Sequence, residues 1–375
     1  MGVNFVIYFY MFICLALLVF NVVYILRSKE KQRRQSRRVD FWLRVIGEEC
    51  RSLERGTPLS SAHGKRLEKR LVRLEELMAY QEAVLICFDS WDRELTQRYL
   101  DAYHLSFQVL AVEYSRRPAM ERAFYAYLMG LYHPYREQGG GRLVEVLMTY
   151  FDDSTVFCRE NVLQALYAMG QASAVEQAFT LMSERGWYHH TRLLSDGLSS
   201  FAGDKVELAQ RLWRRCTAWT EALQVAVVQF ATDVSDSFSE EFLFALQDDS
   251  LPLETRFALL RYFQRRVYLP ARALLLELLE QGEANGLSIT AAAALSRYPG
   301  EDTRQALFKA LHSWNWYVRR NAASSLVAMG AAEEDARALR EGGDRYAAEM
   351  LDYMLEERAS KEAKADKKEA VEVGI

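Results

Sequence analysis

Three hundred and seventy-five residues exceed what one compact core holds and suit a single elongated one. Half of the residues are hydrophobic and 26% are charged, which excludes both a disordered polymer and a multi-pass membrane protein. The net charge of -4 gives no general pull toward nucleic acid, and 19 glycines with 6 prolines supply too few turn signals for an all-β sandwich. No charged side chain occurs from Gly2 to Leu26. As a helix this stretch rises about 37 Å, enough to cross a hydrocarbon core of roughly 30 Å. It is followed by Arg27, Lys29, Lys31, Arg33, Arg34, Arg37 and Arg38 against the single acid Glu30. The positive-inside rule then sets residues 1–26 as a single transmembrane anchor, 27–38 as a basic juxtamembrane neck and everything after as cytoplasmic. A cleaved signal peptide needs a basic leading region and a small-residue cleavage site, and neither is present. The neck is also drawn to anionic lipid headgroups.

Charge is uneven beyond the anchor: residues 27–70 carry a net +8 and residues 71–375 a net -12. Cys14, Cys50, Cys87, Cys158 and Cys216 are odd in number, widely spaced and without a CxxC pair, a pattern of free thiols rather than of a disulfide framework or a zinc knuckle. Residues 39–117 read as an N-terminal helical cap. Within it Leu67, Leu71, Leu74 and Met78 recur at helical spacing and predict one helix, too short a stripe for a coiled coil.

From residue 118 to 355 the chain repeats. CRENVLQALYAMG (158–170) aligns without gaps on VRRNAASSLVAMG (318–330), sharing an Arg, an Asn, a Leu and the Ala-Met-Gly end. Weaker copies fall between, giving a period of about 32 residues, the length of two short helices and two turns. Each unit opens with a helix such as AVEQAFTLMSE or ARALLLELLEQ and continues into a second one rich in small residues, including Ala291–Ala294 and Ala322–Ala323. One pair cannot bury its own apolar face, so stacking supplies the core, and the fold class is an all-α solenoid. Residues 356–375, rich in Lys, Glu and Ala, read as a disordered charged tail.

These units resemble HEAT repeats, in particular the short bacterial type first named from phycobilisome lyases. Asp153 and Arg159 stand six apart as in the Asp/Arg ladder of such units, Asp249 and Arg256 stand seven apart, and Ser313 replaces the Asp before Arg319. HEAT-like iron hydroxylases build their metal site from His-Glu pairs, and no His-Glu dipeptide occurs here. His189-His190 reads as a polar repeat junction, and the glycines at 139–141 as a hinge, since no strand precedes them as in a phosphate-binding loop. No catalytic residue, metal site or cofactor is expected.

Two groups of side chains invite partners. Arg261, Arg265, Arg266 and Arg272 with Tyr262 and Tyr268, and Arg211, Arg214 and Arg215 beside Trp213 and Trp219, have the mixture that holds nucleic acid, but they stand in an acidic body. Trp314, Trp316, Tyr317, Arg319 and Arg320 cluster at a turn, and Trp and Arg are enriched where proteins make their tightest contacts. Arg159, Arg192, Arg256 and Arg319 recur in phase and would line one edge of the stack, most of them in structural roles, holding loop carboxylates and carbonyls. The reading is a non-catalytic, membrane-tethered scaffold for protein partners. The resemblance to bacterial accessory subunits implies a glycosyltransferase of envelope or exopolysaccharide synthesis as the partner. An enzyme related to the lyases and a nucleic-acid-binding solenoid are the alternatives.

Overall fold

The computed structural model describes residues 3–57, 60–90, 92–132, 141–152, 155–281 and 286–373, with side chains from 8 to 364. Among them are twenty α-helices and no strand. Gly139, Gly140, Asp153 and His133 lie outside the described residues, so the hinge and the Asp153–Arg159 pair do too. The chain divides into two compact units: Met1–Ala178 with Phe201–Gly203, and Phe179–Ser200 with Asp204–Ile375.

The first unit begins with α1 (Val3–Glu54), a single helix of 52 residues. No helix boundary separates anchor, neck and body. An 18-residue window near its start has mean hydropathy 2.5 with none of it buried, so this helix is long and apolar enough to cross a membrane. Further along the same helix Val39, Trp42, Val45, Ile46 and Cys50 are buried at the three-to-four spacing of one face. That face packs on α3 (Leu74–Ser90) and α4 (Arg93–Ala102). The single helix expected through Leu67 and Met78 is instead two. α2 (Ser61–Arg70) ends with Lys69 and Arg70, and α3 begins with Glu75 and Glu76, each charge favouring its own helix end. Leu67 and Leu71 are fully buried while Met78 is exposed.

Helix pairs follow: α5 (His104–Ser115) with α6 (Ala119–Tyr132), then α7 (Gly141–Asp152) with α8 (Val156–Ala168). α6 and α8 approach closely because Gly130 has no side chain. A Cβ there would stand 3.1 Å from the Ala165 Cα, a backbone atom that cannot rotate away. Gly130→Leu is therefore expected to destabilise the first unit by about 2–3 kcal/mol through overpacking. Urea unfolding followed by hydrogen exchange, unit by unit, measures it, and an unchanged first unit would refute the close contact.

In the second unit the pairs are α11 (Lys205–Cys216) with α12 (Glu221–Val234), α13 (Ser239–Leu246) with α14 (Leu253–Arg265), α15 (Ala271–Glu280) with α16 (Leu287–Ala294), α17 (Glu301–Ala310) with α18 (Trp316–Ala328), and α19 (Glu333–Glu341) with α20 (Arg345–Val373). α9 (Ala172–Glu184) precedes α10 (Thr191–Ser199), whose neighbour is α12. The second helices α10, α12, α14, α16, α18 and α20 pack each on the next, with the first helices behind them. Their starts are spaced close to the 32-residue period, and the architecture is an α-solenoid. Equivalent side chains tie the layers: Asn161 Nδ2 donates to the Ala123 carbonyl at 3.0 Å in the first unit, and Asn321 Nδ2 to that of Ile289 at 2.8 Å in the second.

α20 runs on to Val373, through the residues expected to form the charged tail. Ala, Glu and Lys have high helix propensity, and Arg358–Glu362 and Lys361–Glu357 form ion pairs one turn apart at 2.7 and 2.6 Å.

Candidate protein-docking site

The turn before α18 is held rigidly by its own polar atoms. Asn315 caps the helix, its side chain accepting from the Tyr317 amide at 2.9 Å, while the Asn315 amide donates to Ser313 Oγ at 3.0 Å. Arg319 reaches back, its Nη1 donating to the carbonyls of Ser313 at 2.7 Å and Trp314 at 3.0 Å. The backbone carbonyl of Ser313 thus takes the place of the absent Asp. His312 Nδ1 bonds Asp344, whose carboxyl lies below its ordinary range because it accepts the Ala347 amide and, secondly, this His contact. On this fixed backbone the rings stand in water. Trp314 is 81% exposed, Tyr317 61% and Trp316 47%. The rings of Trp316 and Tyr317 meet edge to face at 5.1 Å, and Arg320 lies 5.9 Å over Trp316 while facing Glu357 at 3.9 Å. Tyr346, exposed at the second position of α20 as Tyr317 is in α18, extends the aromatic surface. Its place one unit downstream of Tyr317 is a signal that sequence inspection could have used.

The four in-phase arginines do not share one environment. Arg159, Arg256 and Arg319 each occupy the fourth position of their helices, whereas Arg192 is the second residue of α10. Arg192 is accordingly out in solvent, paired with Asp196 at 3.6 Å. Arg159 and Arg256 are buried, so they are not offered to a partner. Arg256 holds Asp249 at 2.9 Å across the preceding turn. The missed member of the series is Gln224, fourth in α12 and buried, which donates to the Trp219 carbonyl at 2.8 Å and accepts from Thr255 at 2.9 Å.

The rival surfaces are differently built. Arg265 is paired with Asp233, Arg266 donates to the carbonyls of Thr232 and Asp233, and Arg272 binds Thr303 and Asp302. Tyr262 and Trp219 are buried, so neither can stack on a base. A cleft of about 420 Å³ across α10, α12 and α14 is lined by Arg192, Asp196, Asp233, Arg261 and Arg265, with charges of both signs. His190 caps α10, its Nδ1 accepting from the Arg192 amide at 3.2 Å.

In the first unit a buried network joins His63, Tyr99, Tyr80, Tyr103 and Glu49. Two thiols flank it. Burial pushes Cys50 up to about 11, helped by Glu54, and pushes Cys87 up to about 12, so both are protonated and unreactive. Among the described residues no group of three or more His, Cys, Asp or Glu side chains is placed to hold a metal ion.

One family model agrees with the architecture. Residues 272–350 match the family described as HEAT repeats. Together with the all-helical fold, this match supports a HEAT-like repeat organisation. No curated protein matches the chain. Among solved structures, human deoxyhypusine hydroxylase in complex with glycerol is similar at 17% identity and a TM-score of 0.28, over 79% of this chain and 95% of that one.

Proposed function

We propose that this chain is a non-catalytic adaptor, anchored by one membrane span, whose cytoplasmic HEAT-like solenoid docks partner proteins. The observation that carries docking is the aromatic turn before α18. Its backbone is pinned by Asn315 and Arg319 while Trp314, Trp316 and Tyr317 lie in solvent. Large rings held in place without a packing role lose little entropy when a partner covers them. The anchor rests on the exposed apolar surface from Tyr8 to Leu26, which water does not tolerate at that size, and on the basic residues that follow it. Tethering adaptor and partner to one membrane raises their effective concentration, so a modest interface suffices. For the partner we propose a membrane glycosyltransferase of envelope or exopolysaccharide synthesis in a bacterial cell, on the resemblance alone.

The test is recovery of partners with the full-length chain solubilised from membranes, wild type against W314A/W316A, quantified by mass spectrometry. Trp314 is largely exposed and Trp316 about half, so an unchanged circular dichroism spectrum and thermal melt establish that the double variant keeps the fold. A true partner is expected to bind the variant about 30-fold more weakly, the equivalent of ~2 kcal/mol. Identical recovery from both proteins would remove the aromatic turn as the docking site.

A further inference from the structure

The contacts of α1 fix which end of the first unit faces the span. Passing along α1 from Glu49 back to Phe41 leads toward Leu26. α2 travels the same way: His63 Nδ1 stands 3.7 Å from Glu49, and seven residues later the Arg70 guanidinium lies 4.0 Å over the Phe41 ring. α5 follows beside it. Tyr103 Oη donates to Glu49 at 2.6 Å, Ser106 Oγ to Glu68 at 2.9 Å and Tyr114 Oη to the Leu71 carbonyl at 2.8 Å. The turn between α2 and α3 and the turn between α5 and α6 therefore share the end of the unit from which the span leaves. α7 runs beside α5 through the bond of Tyr150 to the Ala111 carbonyl, and α8 beside α6 through Asn161 and Ala123. The start of α8 is thus on that end as well.

The residues on this end are of two kinds. Lys69, Arg73, Arg116 and Arg117 are exposed bases, with Glu68, Glu75, Glu113, Glu121 and Asp152 as the nearby acids. Met120 is 65% exposed, Val156 50% and Phe157 70%. Six of the seven bases of the neck stand between this end and the span, while Arg38 lies at the end itself, 3.6 Å from Glu76. From Leu26 to Arg38 the helix rises about 18 Å. The headgroup zone takes up roughly 5–7 Å of that. The remaining gap of about 11–13 Å is roughly one and a half Debye lengths at physiological salt.

We propose that this end of the first unit is a second membrane contact, which rests on anionic phospholipid headgroups through Lys69, Arg73, Arg116 and Arg117. A span tilted by about 20° lowers this end toward the headgroups, and Met120, Val156 and Phe157 then enter the interface as apolar anchors. The inference rests on the reading of α1 as a span with the body on its basic side. Basic turns interleaved with exposed apolar side chains are what an anionic interface holds, and each base near such a surface shifts the bound population by about fivefold.

The experiment compares the full-length chain in nanodiscs of phosphatidylcholine alone and of phosphatidylcholine with one-quarter phosphatidylglycerol, by hydrogen exchange. Slower exchange in residues 69–74, 116–120 and 155–158 with the anionic lipid, at least about fivefold, is expected. Exchange in the buried helix α3 serves as the internal control and should not change. In R73E/R116E/R117E the lipid-dependent protection is lost, and F157S weakens it at 155–158. Equal exchange in the two lipids, from a chain that resists alkaline extraction, overturns the second contact and leaves the anchor standing. A chain that alkali strips from the lipid overturns both.

Discussion

Trp42→Ala is expected to cost the first unit about 3–5 kcal/mol, enough to leave it largely unfolded while the second unit keeps its structure. Trp42 is fully buried. Its Nε1 donates to Glu76 Oε2 at 3.1 Å, its ring meets Tyr80 edge to face at 5.2 Å, and Arg70 lies 5.3 Å over it. Glu76 is itself buried and also faces Arg70 at 2.9 Å and Arg38 at 3.6 Å. Truncation therefore leaves a cavity of indole size and removes a donor from a buried carboxylate, two penalties that add. Trp42→Phe fills most of the cavity but not the hydrogen bond, and should cost about half as much. Hydrogen exchange of the full chain, read separately over the two units, gives the cost. A loss below about 1 kcal/mol would mean that α1 is held to the body by something other than this residue.

The same residue marks how far the sequence could be read. The repeat was legible because structural demands recur as identities. Gly170 and Gly330 both have positive φ, 67° and 90°, and close their helices with the same pair of backbone bonds, which is why two distant Ala-Met-Gly ends align. Asn161 and Asn321 make the same bond to the preceding layer, so they survive as a matched pair. The arginine phase was only partly legible, because position within a helix and not spacing from a glycine decides what the side chain meets. Arg192 sits two places early, and Gln224 fills the role with a different chemistry. The passage of α1 from neck to core was written in the spacing of Val39, Trp42, Ile46 and Cys50, but the dense charges before them drew a boundary that the backbone ignores. At the docking site, composition supplied Trp314 and Trp316 but not their exposure. That is set by the conformation of the turn, whose carbonyls at Ser313 and Trp314 bond Arg319 while the rings face solvent. Contacts such as His63 with Tyr99, 36 residues apart, carry no local signal at all.

That last contact predicts an acid-sensitive first unit. His63 is almost wholly buried, its Nε2 bonded to Tyr99 Oη at 2.9 Å, with Tyr80 Oη donating to the same hydroxyl at 3.2 Å. Burial first, and the charge of Arg66 second, lower its pKa from 6.5 to about 4. The Glu49 carboxylate, 3.7 Å from Nδ1, pulls the other way, but its side chain keeps 19% exposure and already accepts the Tyr103 hydroxyl, so burial dominates. The folded state therefore holds the ring neutral where the unfolded chain would take up a proton. Above pH 6.5 neither state binds one and the native unit has its full stability. As the pH falls from 6.5 toward 4 the unfolded state gains protons that the folded state refuses, and stability drops by up to about 3 kcal/mol. His63→Gln keeps a partner for the Tyr99 hydroxyl and cannot titrate, so the difference between wild type and variant should shrink as the pH falls through this window. Urea midpoints of the first unit measured at each pH from 7 to 4 supply that difference, with the carboxylates common to both proteins cancelling. Parallel curves for the two proteins would show that the ring is protonated in the folded chain, and that Glu49 rather than burial governs it.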